Sequence, residues 1–91
     1  MKGVSAPLNV VNEEQILSDE RITLLKKPYV DLSTLVVKDQ AGVIIYQLNF
    51  DYVVTVISNY IEIQRIPGGQ IADNQVINVD YTAIQPGSYS F

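Results

Sequence analysis

The sequence predicts an all-β domain of about seven short antiparallel strands, folded as a sandwich or a barrel. Three observations carry this. Turn-forming residues recur at roughly the eight-to-twelve-residue spacing of such folds. Between them lie runs of β-branched and aromatic side chains, which suit a pleated, half-buried surface and are stiff in a helix. The stretch 51–81, DYVVTVISNYIEIQRIPGGQIADNQVINVDY, holds a β-branched run followed by two runs that alternate apolar and polar residues, with tight turns between them, so it reads as three strands in succession.

Residues 1–7 read as a lead-in. Residues 8–17 are expected to form an extended edge strand. A short helix is the second choice, because Glu13-Glu14-Gln15-Ile16-Leu17 has fair helix propensity, but one or two turns are marginal without packing. Ser18-Asp19-Glu20 is a turn. Residues 21–26 form a strand with Ile22 and Leu24 inward, ended by Lys27-Pro28, since proline pushes its predecessor out of the helical region. Residues 32–38 follow as a strand with Leu35 and Val37 on one face. Asp39-Gln40-Ala41-Gly42 has hairpin chemistry, with Gly42 in the left-handed position, and residues 43–47 are expected to pair back.

Residues 52–57 form the next strand, and a two-residue Ser58-Asn59 turn pairs Ile57 with Tyr60. In 60–66, Ile61 and Ile63 take one face, Glu62 and Gln64 the other. Pro67-Gly68-Gly69 stops that strand, because proline lacks a ladder N–H and glycine accepts dihedrals that other residues avoid. Ile71 is expected to tuck inward, and Asp73-Asn74 makes the second turn. In 75–83, Ile77, Val79, Tyr81 and Ala83 share the core face, and Asn78, Asp80 and Thr82 share the other. Pro86-Gly87 breaks the strand. Tyr89 and Phe91 then alternate with Ser88 and Ser90, as if a further strand were starting, so 86–91 reads as a truncated linker and 8–85 as the single domain.

A chain of 91 residues has room for one core. Its net charge of −4 argues against a nucleic-acid surface and against attachment to anionic lipid, and Lys26-Lys27 is too small a basic pair to offset this. No apolar run approaches the roughly 20 residues of a membrane helix, so the sequence gives no direct membrane insertion. Without cysteine there is no disulfide framework and no thiolate metal site; without histidine the commonest general base and metal ligand is missing. No cofactor or catalytic residue is indicated. Pro67-Gly68-Gly69-Gln70 lacks the Gly-Lys-Ser/Thr ending of a phosphate loop, and a structural turn is favoured. Asp51 and Asp80 could approach each other across a sheet and Asp73 sits in a turn, but calcium needs six or more oxygens, so solvated or turn-capping roles are favoured. Arg65 ends the Ile61–Ile63 face and is expected to pair with Asp51 or Asp80. Tyr29, Tyr46, Tyr52, Tyr60 and Tyr81 could form a stacking platform for sugar. Their parity does not place all of them on one face, which favours buried rings with wet hydroxyls.

The strings Asp51-Tyr52-Val53-Val54, Ile61-Glu62-Ile63-Gln64-Arg65-Ile66, Gly68-Gly69-Gln70-Ile71-Ala72-Asp73-Asn74-Gln75 and Val79-Asp80-Tyr81 form a recurring hairpin pattern. It resembles immunoglobulin-like β-sandwich modules of large bacterial cell-envelope proteins, some adjoining an outer-membrane barrel; similar hairpins occur in phage tail proteins. Ser33 to Asp39 and Gly42 to Tyr46 fit the same pattern. Asn74 stands where glycine is usual, and asparagine also tolerates positive φ. The resemblance implies a non-enzymatic spacer or interaction module in the periplasm or at the cell surface, with neighbouring domains of its parent chain as partners. It gives Asp51, Tyr52, Arg65, Gly68, Gly69, Asp73, Asn74 and Tyr81 structural roles. The alternatives are a carbohydrate-binding module using exposed tyrosines and a virion structural domain assembling through sheet edges.

Overall fold

The computed structural model describes residues 6–85, with side chains from Pro7 to Ile84. Six strands occur in it: β1 (Ala6–Leu17), β2 (Thr23–Leu24), β3 (Val30–Asp39), β4 (Tyr52–Ile57), β5 (Tyr60–Arg65) and β6 (Gln75–Gln85). They form two antiparallel three-stranded sheets, ordered β1-β6-β3 and β2-β5-β4. No helix is present among the described residues. The arrangement is all-β and consistent with a β-sandwich. The 1–7 lead-in is shortened by β1, which already includes Ala6 and Pro7, while the 86–91 tail lies outside the described residues.

β6 is the centre of the first sheet because its alternation is clean. Ile77, Val79, Tyr81 and Ala83 are all buried, as their parity predicts. They meet Ile61, Ile63 and Tyr52 of the second sheet in one core that also takes Leu17, Leu25, Val37, Tyr46 and Ile71. Each such aliphatic side chain contributes roughly 1.5–3 kcal/mol on full burial. The β4–β5 hairpin has the expected register, Ile57 opposite Tyr60, with Ser58 at φ 56° in the first turn position, as a mirror-image turn requires.

β1 is an edge strand, in line with the first choice for residues 8–17, and it carries a bulge. Its register with β6 shifts between Val10 and Glu13, and Asn12 takes φ 57° there. Asparagine visits the left-handed region more readily than branched residues do, so it is a suitable bulge residue. The shift changes parity: Val10 packs inward before it, and Glu13 and Leu17 are buried after it. Between the sheets, Tyr29 holds φ 60° and joins them by its backbone. Its N–H donates to Asn59 O (2.8 Å) at the β4–β5 turn, and its carbonyl accepts from Ile84 N (2.8 Å) in β6.

Four expectations are corrected. The strand at 21–26 is only the two residues of β2, and its parity is inverted: Ile22 (68% exposed) and Leu24 (40%) face outward, while Thr23 and Leu25 are buried. Thr23 can be buried because its hydroxyl donates to Ile16 O (2.7 Å). The stretch 43–47 pairs back on β3 through a single bridge, Lys38 to Ile45. The Asp39 carboxylate accepts the amides of Val43 (2.7 Å) and Ile44 (3.0 Å), which are then lost to a ladder, and this leaves six strands rather than about seven. Glu62, expected on a wet face, is buried in the central strand between Leu24 and Thr55 and accepts from Gln64 Nε2 (3.1 Å). Arg65 pairs with neither Asp51 nor Asp80; its partner is Asp19.

Candidate functional site

The polar side chains that the sequence singles out are spent on the fold in four places. Asp51, buried just before β4, accepts from the backbone amides of Gln47 (2.9 Å) and Gln70 (3.0 Å) and from Gln70 Nε2 (3.3 Å). It thereby joins the loop before β4 to the loop after β5. Those amides hold its carboxyl below the usual carboxylate range, against the opposing pull of burial. Gly69 completes the junction: a Cβ there would lie 2.8 Å from Phe50 O and 2.9 Å from Asp51 Cα. Gly68, at φ 91°, makes the turn itself. Burial raises the phenol of Tyr52, and the neighbouring Asp51 charge adds to this.

Tyr81 and Glu13 form the second cluster. The Tyr81 hydroxyl donates to Glu13 Oε1 (2.5 Å) and accepts from Lys27 N (3.2 Å). Glu13 Oε2 accepts from Lys26 N (3.0 Å) and Gln15 Nε2 (2.7 Å). This network pins the segment after β2 onto β1. Burial and then the Glu13 carboxylate push the Tyr81 phenol above its ordinary range.

The third cluster is a chain of three residues. Arg65 donates through one terminal nitrogen to Asp19 Oδ2 (2.8 Å) and through the other to Ile71 O (3.1 Å), leaving its buried Nε without a hydrogen bond. Asp19 N donates to Asp73 Oδ1 (2.8 Å), and Asn74, at φ 63°, donates its N–H to Leu17 O (2.7 Å). Asp80 is the fourth centre. It stands on β6 and reaches both flanking strands, accepting the Asn12 amide of the β1 bulge and the Lys38 ammonium of β3, each at 2.7 Å. Burial works to raise its carboxyl, but these two donors outweigh it and hold the group below the usual range.

Asp51, in the turn before β4, and Asp80, on β6, therefore hold different partners, whereas Asp51 and Gly69 are brought together, as are Arg65 and Asp73 through Asp19. Sequence reasoning missed Glu13 and Asp19. The clue to Glu13 was the parity clash between Val10 and Leu17, which a bulge resolves; Asp19 had no comparable signal.

What stays open mixes charged and apolar side chains. A groove of about 780 Å³ runs between β1 and the segment leading to β2, lined by Glu14, Ile16, Glu20, Arg21, Ile22 and Leu24. Among the described residues no group of three or more His, Cys, Asp or Glu could hold a metal ion. Of the tyrosines in the described region, Tyr46, Tyr52 and Tyr81 are buried; Tyr29 and Tyr60 are exposed beside the β4–β5 turn, where Asn59 Nδ2 donates to the Tyr29 hydroxyl (3.1 Å). Among the described residues no helix is long and apolar enough to cross a membrane. No family model, curated protein or solved structure matches this chain.

Proposed function

We propose that the chain is a non-enzymatic structural or interaction module of a larger bacterial envelope protein, built on an immunoglobulin-like plan. The observation that carries the reading is the fate of its polar groups. Asp51, Glu13, Asp80 and Arg65 direct their charged atoms at the chain's own amides and side chains, and such groups are committed to position rather than to a reacting substrate. Ala6 lies opposite Gln85, so the domain is entered and left at one end and the loops at its other end are held out. That geometry favours presentation over an in-line spacer. The test is the reading frame that encodes the chain. The expected result is an export signal ahead of these residues and further domains around them; a short cytosolic frame would overturn the envelope setting.

A second reading rests on Tyr29 and Tyr60, whose exposed rings lie beside the same turn. Aromatic faces stack on sugars, and a glycan array would reveal binding that Tyr29→Ala and Tyr60→Ala remove. An array with no signal for the intact domain would retire this reading.

A further inference from the structure

The outer strands of the two sheets differ in how they resist pairing with a further strand. β1 is interrupted by the Asn12 bulge and carries Glu13 and Glu14. β3 is irregular between Asp31 and Val36, and its far side is occupied where Tyr46 N donates to Val37 O (2.8 Å) and Asp39 N to Ile44 O (3.0 Å). β2 is two residues long and lies between Arg21 and Lys26-Lys27-Pro28. Bulges, charges, covering segments and short length are the devices by which natural edges avoid adding strands. β4 is covered only at its first residue, where residues 48–49 bridge Tyr52, and from Val53 to Ile57 it has none of them. Its sequence is YVVTVI, without charge, proline or glycine, and its register with β5 is unbroken from Tyr52–Arg65 to Ile57–Tyr60.

The open hydrogen-bonding groups of this edge can be identified. Asp51 O accepts from Ile66 N (3.0 Å), in line with β5, whereas Tyr52 O accepts from Asn49 N (2.7 Å), away from it. Backbone groups alternate along an antiparallel strand, so the N–H and C=O of Val54 and Val56 also point away from β5. No described residue pairs with them. The side chains of Val56 (61% exposed) and Ile57 (41%) lie uncovered beside them.

We propose that β4 is a self-association edge, at which two copies pair their β4 strands antiparallel about a two-fold axis at Thr55. Val54 of each copy then stands opposite Val56 of the other, and the two pairs exchange N–H···O=C bonds that use every outward group of both residues. Val53 faces Ile57, and the β2-β5-β4 sheets of the two copies become continuous. A second copy fits this edge because the register is self-complementary with no group left over. It also fits because a chain of net charge −4 presents here a strand with no charge to oppose its mate. The contact is shorter than a standard interface of about 1,200 Å² or more, so the dimer is of the weak, concentration-dependent kind.

The proposal stands apart from the envelope reading, which the reading frame decides. Sedimentation equilibrium over a roughly hundredfold concentration range should show a monomer–dimer equilibrium. Val56→Pro deletes a donor that β5 does not use, and Val56→Lys places a charge on the edge. Each should weaken dimerisation tenfold or more, and Val56→Lys, if the proline variant does not fold, should do so with the melting temperature retained. The chain has no cysteine, so Thr55→Cys would carry its only thiol. Opposed non-hydrogen-bonded residues have Cα atoms about 4.5 Å apart, within disulfide range, and mild oxidation should link Thr55→Cys far faster than Val53→Cys. A monomer across the whole range, a dimer that survives both Val56 variants, or equal linking at the two cysteines would overturn the proposal. So would a chain that stays monomeric yet binds an unrelated β-branched peptide along β4, since the edge would then serve a foreign strand.

Discussion

The Tyr81 hydroxyl is the donor to Glu13 Oε1, while Glu13 Oε2 is held by Lys26 N and Gln15 Nε2. Removing one hydroxyl strands a carboxylate oxygen out of water, and a buried charged acceptor left unmade costs more than the bond contributed. Tyr81→Phe is therefore expected to destabilise the domain by about 1–3 kcal/mol, read as a fall in denaturation midpoint at unchanged slope. At Gly69 the cost is steric. A methyl group would sit against backbone at Phe50 and Asp51, which cannot move aside as a side-chain tip can. Gly69→Ala should accordingly cost more than Gly68→Ala, whose site is open and whose penalty of about 1 kcal/mol comes from positive φ alone. The two are compared by thermal melts. Asp51 sets an acid limit. Its carboxyl titrates lower in the folded chain than in the unfolded one, so the stability it contributes is complete above the ordinary carboxylate range and is lost as pH falls through its folded value. Denaturation midpoints measured downward from neutral pH should be level until that range and then drop, and Asp51→Asn should flatten the drop while lowering the plateau.

At the scale of the elements, β4 was legible from its β-branched run, and β5 and β6 because one parity of each carries most of the apolar residues: Ile61 and Ile63 on one strand, and Ile77, Val79, Tyr81 and Ala83 on the other, sort themselves. β2 was not legible. Ile22, Leu24 and Leu25 put large apolar residues at both parities, and the choice fell to the side on which Thr23 could bond Ile16. The 43–47 run was misread for a different reason. Its side chains suit a strand, but Asp39 takes the backbone amides a strand would need. β1 depends on its bulge, and the bulge depends on Asp80. Asp80→Ala removes the acceptor for the Asn12 amide and the partner of Lys38 together. With both ions partly hydrated, a loss of about 1–2 kcal/mol is expected. Hydrogen exchange should show it as faster opening of β1 than of β5.

For the molecule as a whole, turn spacing and alternation gave the all-β class, but the arrangement of the sheets depends on contacts far apart in sequence. The β1–β6 pairing joins the first and last strands among the described residues, and nothing local in either announces the other. The candidate site was legible only as a set of structural residues. Asp51, Gly69, Arg65 and Tyr81 were chosen for their turns and alternation, while their partners Glu13 and Asp19 became visible only in three dimensions. That first-to-last pairing decides how the domain would respond to being pulled. Tension applied through the two ends reaches the Ala6–Gln85 pair first, then Pro7–Ile84, then Leu8–Ala83, so the rungs are loaded one after another instead of sharing the strain. In a single-molecule stretching experiment β1 should therefore peel away like a zipper, at a lower force than the same domain gripped so that its strands slide lengthwise past each other.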